Sequence, residues 1–453
     1  MDFVFPKERA VKACLTTMAK ITAVFLSAFP LLAHGEGNST MEKNCRTQTS
    51  KWESPKKVLE QDNVETREQC QRAAKQGDAA AQTYVGWMYW EGLGVKKDNR
   101  EAMKWFNKAA KQGYAPAQHY LGWMSIRSIK REGDGRTTLR EEFIDHDRKM
   151  KEAQKWYQKA ADQGYAPAQH DLAGLAGVSG SSISYAEGDR LYRLAAEQGY
   201  EPAQINLANR YKRRADRHRD PKRPQFLDET KAKACEVEAL KWYRKAAEQG
   251  NMGAQRELGK MLAEGQSVKD EAEAVRQFRL MAEQGSVVGQ YELGKMIAAG
   301  RGVKKDEAEA VRLFRLAAKE DGKGSFQGEM QYELGKMYLE GRGVKKDDAE
   351  ALKWHRLAAE NGDSSARFEL GKRYAEGRGV EKDESEALKW YRKATPTKDG
   401  AAEFEVGKWH ADGRCVEQSG AAACKAGAEG WYRDAAEKGH LGAKEALRKM
   451  GKD

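Results

Sequence analysis

The feature that most limits what this chain can fold into is that it repeats itself. A small residue following an apolar one recurs at Gly86, Gly122, Ala173, Ala208, Gly259, Gly294, Gly335, Gly371 and Gly407, at intervals of 36, 51, 35, 51, 35, 41, 36 and 36 residues. After each comes an aromatic-led segment closing on small residues: Trp105-Phe106 with Ala109-Ala110, Trp156-Tyr157 with Ala160-Ala161, Trp242-Tyr243 with Ala246-Ala247, Trp390-Tyr391 with Ala394. Leu191, Gln277, Leu313, Trp354 and Trp431 hold the same column in the other units. Such a period marks a stacked array, because each short unit can bury its apolar face only against its neighbours. The 453 residues therefore do not divide into three ordinary domains.

Each unit resolves into two helices. Helix A carries A-x-x-x-L-G-x-x-Y and helix B carries A-x-x-W-Y-x-x-A-A, with apolar positions three and four apart, as one buried face requires. The small residues let the two axes approach, and the aromatics are expected to fill the space between units. A G-x-G-V-x-x-D loop joins A to B, at Gly92, Gly300, Gly341 and Gly377, where glycine permits the left-handed backbone that ends a helix. Helix B then opens on capping boxes, Asp98/Glu101, Asp270/Glu273, Asp306/Glu309, Asp347/Glu350, Asp383/Glu386 and Ser184/Glu187.

These motifs resemble the Sel1-like repeat family, a relative of the tetratricopeptide repeat, over about residues 60–450. The resemblance implies an all-α, right-handed α-solenoid of about nine antiparallel helix pairs, used as a protein-interaction scaffold. Some cysteine-rich secreted members have been linked to β-lactamase activity, but they carry a regularly spaced Cys pair in each repeat and this chain does not.

Composition narrows the rest. With 44 Gly but only 9 Pro, and with 11 Trp, 17 Tyr and 12 Phe, collagen and wholesale disorder are excluded. No apolar run reaches the ~20 residues of a spanning helix. Residues 21–33, ITAVFLSAFPLLA, follow Lys20 and end at Ala33, ahead of His34-Gly35. They read as a secretory signal ending near residue 35, with either Met1 or Met18 as the start; the competing reading is a buried helix or uncleaved anchor. Residues 36–59 then form a linker, and the expected location is periplasmic or secreted. The six Cys show no CxxC or Cys/His zinc spacing. Cys415 and Cys424 bracket one loop and form a candidate disulfide in an oxidising compartment. Asn38-Ser39-Thr40 is a sequon with meaning only in a eukaryotic source.

Departures from the pattern locate candidate sites. Insertions near residues 125–150 and 210–235 fall in the A-to-B connections of the second and fourth units. The second is strongly basic, through Arg210, Lys212, Arg213, Arg214, Arg217, Arg219, Lys222 and Arg223. It is a candidate patch for an anionic envelope polymer, against the alternative of a solvated loop or an extension of helix A. Two before and one after the marker, units five to nine carry Glu257/Lys260, Glu292/Lys295, Glu333/Lys336, Glu369/Lys372 and Glu405/Lys408, pairs on one helical face. Units one and two carry Tyr84/Trp87 and Tyr120/Trp123 instead. Those four rings are the candidate partner-binding groove, unless they pack under neighbouring segments.

Catalytic signals are thin. Ser54-Pro55-Lys56-Lys57 fits S-x-x-K, but no S-D-N or K-T-G accompanies it. His119 and His170 occupy equivalent columns but lack an evident carboxylate or third ligand, and no phosphate-binding glycine motif is present. The sequence-level expectation is a monomeric, non-catalytic scaffold that binds a protein or peptide on its helix A face and needs no cofactor and no metal. The alternatives are a β-lactamase-like envelope hydrolase and an electrostatic binder of anionic polymers.

Overall fold

The computed structural model describes residues 64–129, 139–265, 268–318, 324–414 and 421–451. Among them are twenty α-helices, one 3-10 turn and no strand. The apolar stretch 21–33 and Ser54 to Lys57 lie outside the described residues, and none of the described helices is long and apolar enough to cross a membrane.

The chain divides into two compact units, one up to Ala254 and one from Gln255. The first contains α1 (Val64–Lys75) and four helix pairs: α2 (Ala79–Glu91) with α3 (Asn99–Lys111), α4 (Ala115–Ile129) with α5 (Leu139–Asp162), α6 (Ala166–Gly174) with α7 (Tyr185–Glu197), and α8 (Glu201–Arg219) with α9 (Glu229–Glu248). The second takes most of α10 (Met252–Glu264), then α11 (Glu271–Glu283), α12 (Val287–Ala299), α13 (Glu307–Ala317), α14 (Ser325–Glu340), α15 (Asp348–Glu360), α16 (Ser364–Glu376), α17 (Glu384–Ala394), α18 (Ala401–Ala411), α19 (Ala421–Glu437) and α20 (Leu441–Lys449).

The marker glycine is small because a ring of the same repeat lies on it. A Cβ at Gly86 would fall 2.9 Å from the Phe106 ring, at Gly122 2.7 Å from Tyr157, at Gly294 2.6 Å from Phe314 and at Gly371 2.6 Å from Tyr391. The second aromatic of the W-Y pair therefore packs inside its own repeat, where the periodicity suggested packing between units. The loop glycine one repeat later has a different reason. Gly302 and Gly343 have φ of 68°, and a Cβ there would meet the carbonyl oxygens of Glu271 and Glu307 at 2.2 and 2.1 Å, so these loops lie directly on the preceding helix B.

The capping boxes form by half. Asp270, Asp306 and Asp383 each accept the backbone N–H of the residue three on, at 2.9 Å. The caps' own N–H groups, however, donate to helix A carbonyls: Asp98 to Tyr89, Asp347 to Tyr338 and Asp383 to Tyr374, at 2.9, 3.0 and 3.0 Å. The glutamates, released from that duty, pair with a base three residues ahead, as Glu309 does with Arg312 at 2.7 Å.

A further column went unread in the sequence. Buried Gln82, Gln118, Gln169 and Gln204 on successive helices A donate to the carbonyls of Ala74, Ala110, Ala161 and Ala196 on the preceding helix, at 3.2–3.4 Å. Their side-chain oxygens accept from Gln112, Gln163, Gln198 and Gln249 at the end of their own helix B, at 2.7–2.8 Å. Each glutamine thus ties its repeat to the one before it and closes its own pair.

Candidate functional site

Tyr84 and Trp87 do not form a solvated face. They are 1% and 6% exposed and belong to one core cluster with Cys70, Ala74 and Phe106, while Tyr120 and Trp123 are half-buried against it. Tyr120 stacks on Phe106 at 5.2 Å, Trp123 meets Trp90 edge-on at 5.0 Å, and Arg127 lies 4.5 Å over Trp123. The aromatics of the first repeat replace Glu/Lys pairs because α1 and the second repeat cover them. The exposed groove expected there is absent at Tyr84 and Trp87.

The second insertion is an extension of the helix pair, and α8 and α9 run to 19 and 20 residues. Part of its basic charge is consumed internally. Arg210 pairs at 2.5 Å with Asp189 of α7, whose side chain is 7% exposed; Arg214 pairs with the same carboxylate. Arg219 pairs with Glu229 at 2.9 Å and with buried Glu236 at 2.8 Å. Lys212 is half-buried, and Arg213 and Arg217 are exposed. The basic patch of the sequence reading is therefore split: Arg210 and Arg214 tie α8 to α7, Arg219 ties α8 to α9, and Arg213 and Arg217 face water.

His119 and His170 do find a carboxylate. The His119 Nε2–H donates to Asp171 Oδ2 and the His170 Nδ1–H to Asp171 Oδ1, both at 2.8 Å, and Asn206 Nδ2–H donates to His170 Nε2 at 2.8 Å. Burial would raise the Asp171 carboxyl, but the two imidazole hydrogen bonds outweigh it and hold the group well below the usual carboxylate range. The result is a polar chain across α4, α6 and α8, walled by Tyr157, Tyr165, Tyr192 and Tyr200 rings 5.4–5.6 Å from the imidazoles. Asp171 occupies the column that holds glutamate in later repeats, which was the available signal. No group of three or more metal-ligating side chains is found among the described residues.

Cys415 lies outside the described residues, so the Cys415–Cys424 candidate is not placed. Buried Cys70 is disulfide-bonded, and Cys235 is a free buried thiol.

In the second unit, helices A present rings beside the expected ion pairs. Glu292/Lys295, Glu333/Lys336 and Glu369/Lys372 pair at 2.9, 3.1 and 3.2 Å, and the lysines lie 4.8–5.9 Å over Tyr291, Tyr332 and Phe368. A groove of about 760 Å³ opens along this face, bounded by Phe326, Glu329, Tyr332 and Glu333 of α14, by Asp363, Ser364, Ser365 and Phe368 at the start of α16, and by Thr397 to Asp399. Phe326 is 39% exposed in it. The far wall is fixed from below: buried Glu403 accepts from Thr397 N–H at 3.0 Å and from its hydroxyl at 2.6 Å, and it pairs with Lys438. Burial pushes the Asp363 carboxyl up, and the facing charges of Glu329 and Glu333 push it further, against the backbone hydrogen bonds it accepts. Burial first, then Glu369, Asp363 and Glu333, push the Tyr332 hydroxyl up to about 12.

The Sel1 repeat profile matches residues 79–114, 144–165, 166–200, 236–251, 253–286, 287–322, 328–363, 364–395 and 400–440. The chain belongs to the Sel1-repeat family. The two short matches, 144–165 and 236–251, begin within α5 and α9, the helices B that the insertions separate from their helices A. A crystal structure of a protective antigen from uropathogenic Escherichia coli, displaying an SLR fold, is 30% identical over 86% of this chain and 77% of that one, with a TM-score of 0.63. A Sel1 repeat protein from Oxalobacter formigenes is 25% identical over 77% and 90% of the two chains, with a TM-score of 0.59. A search among curated proteins returns no significant match. Sel1-repeat proteins are generally protein-interaction scaffolds.

Proposed function

We propose that this Sel1-repeat chain is an exported, monomeric, non-catalytic scaffold that holds an extended segment of a partner protein along its helix A face. The observation that carries the reading is the groove between α14, α16 and the 397–399 loop, which combines a pocket-sized volume with an exposed ring and convergent polar groups. Export is supported by the apolar stretch at 21–33, by the Cys70 disulfide, since such bonds persist in oxidising compartments, and by a relative that is a protective antigen.

The test is affinity capture from the envelope and secreted fractions with immobilised mature chain. A partner retained by the wild type and lost with groove-filling Ser365→Trp supports the reading. A partner retained equally by both places recognition elsewhere and defeats the groove assignment.

A further inference from the structure

We propose that the groove of the second unit selects its partner by charge, taking a basic segment with Lys or Arg about every third residue. The inference rests on the scaffold reading and names the partner's chemistry. The lining holds four carboxylates, Glu329, Glu333, Asp363 and Asp399, against one cation, Lys398, in a chain whose net charge is +11. Internal partners do not exhaust these groups. Glu329 accepts the Tyr291 hydroxyl at 2.9 Å, Glu333 takes Lys336, and Asp363 and Asp399 accept the N–H of Ala366 and Ala401 at 2.7 and 3.1 Å. A carboxylate has about four acceptor positions, so each keeps capacity toward the groove. Lys336 and Lys372 already lie over Tyr332 and Phe368, so the exposed Phe326 ring is the one in the lining on which a partner's guanidinium or ammonium is attracted.

The spacing follows from the fold. Adjacent packed helices lie about 8–10 Å apart, and an extended chain rises about 3.3 Å per residue, so successive repeats meet every third residue of a bound strand. One basic side chain then reaches Glu329 and Asp363, and the next reaches Asp399. Burial first, and after it the charges of Glu329 and Glu333, raise the Asp363 carboxyl; a cation in the groove would relieve the second of these causes.

The experiment uses the full mature chain and a fluorescent decapeptide with Arg at positions 1, 4, 7 and 10 among Ala and Ser, followed by anisotropy. Companion peptides carry Glu or Ser in place of Arg. The Arg peptide is expected to bind, to weaken steeply from 50 to 300 mM salt, and to lose at least tenfold in affinity with Glu329→Gln plus Asp363→Asn. Those changes preserve the Tyr291 hydrogen bond and the helix cap, and circular dichroism and melting confirm the fold. Arg213→Gln plus Arg217→Gln, in the first unit, is expected to leave affinity unchanged. Arg-peptide binding that survives the double variant overturns the inference. Preference for the Glu or Ser peptide overturns charge selection and leaves the scaffold reading standing, whereas no binding of any peptide counts against both. Wild-type self-association in sedimentation, abolished by the same double variant, would identify a second copy as the occupant and overturn the proposal.

Discussion

At the scale of residues, His355 shows how one position can depart from the repeat at a cost. It stands where other repeats place Phe106, Tyr157 or Tyr391, fully buried, with neither ring nitrogen hydrogen-bonded. Desolvation, followed by the charges of Arg373 on α16 and Lys336 on α14, pushes its pKa down to about 3, and the Tyr332 ring lies 5.3 Å away. Because the folded value lies below the unfolded ~6.5, the neutral ring's contribution is complete above that pH and is lost as pH falls below it. Between pH 7 and 5 the second unit should lose about 2 kcal/mol, at ~1.4 kcal/mol per tenfold change in proton affinity. His355→Phe should remove that slope in urea melts; an unchanged slope would mean the ring is not neutral and buried in solution. A second residue-scale prediction concerns Gly371. Ala is the better helix former by ~1 kcal/mol, yet Gly371→Ala should destabilise by about 1–3 kcal/mol, because its Cβ would overlap the Tyr391 ring. A raised melting temperature would show that the two helices separate freely.

At the scale of elements, neighbouring repeats are joined by the glutamine column and by loop arginines. Arg301, Arg342 and Arg414 reach back to Glu271, Glu307 and Glu384 at the first turn of the preceding helix B, at 2.9, 3.2 and 3.1 Å. Hydrogen bonds from Lys269, Lys305 and Lys382, then from those arginines, hold the three carboxyls below the usual glutamate range. Their support is therefore present above about pH 4.5 and is lost as pH falls through the lower folded values. Replacing the three arginines by Gln should flatten the melting temperature between pH 5 and 3 and reduce its salt dependence. Gln169→Leu is expected to cost about 1–3 kcal/mol, since it removes two hydrogen bonds, to Ala161 C=O and from the Gln198 amide, although each of those groups keeps a second partner in Gly164 N–H and Leu194 C=O; a neutral outcome would make the column incidental. What the sequence disclosed at this scale was local. Caps, loop glycines and the helix period depend on residues within a few positions of one another. Asp171 meets His119 from 52 residues away, and the groove gathers side chains from three repeats, so neither can be read from one repeat's pattern. Tyr84 and Trp87 show the same limit. Their column faces outward in later repeats, and what covers them belongs to other elements.

At the scale of the whole molecule, the repeat architecture makes stability a sum of neighbour interactions within each compact unit. Deleting residues 287–322, one complete match to the family, should leave a helical protein of unchanged specific ellipticity; loss of helicity throughout would contradict that modularity. The account's central claim is that a partner lies along helix A of the second unit. The most direct measurement places a photo-crosslinking side chain at exposed Ser365 in the groove and, as control, at exposed Lys345 in a loop, in cells that make the native protein. The account predicts one discrete adduct from Ser365, competed by the Arg decapeptide, and none from Lys345. Equal adducts from both positions, or none from Ser365, would contradict it.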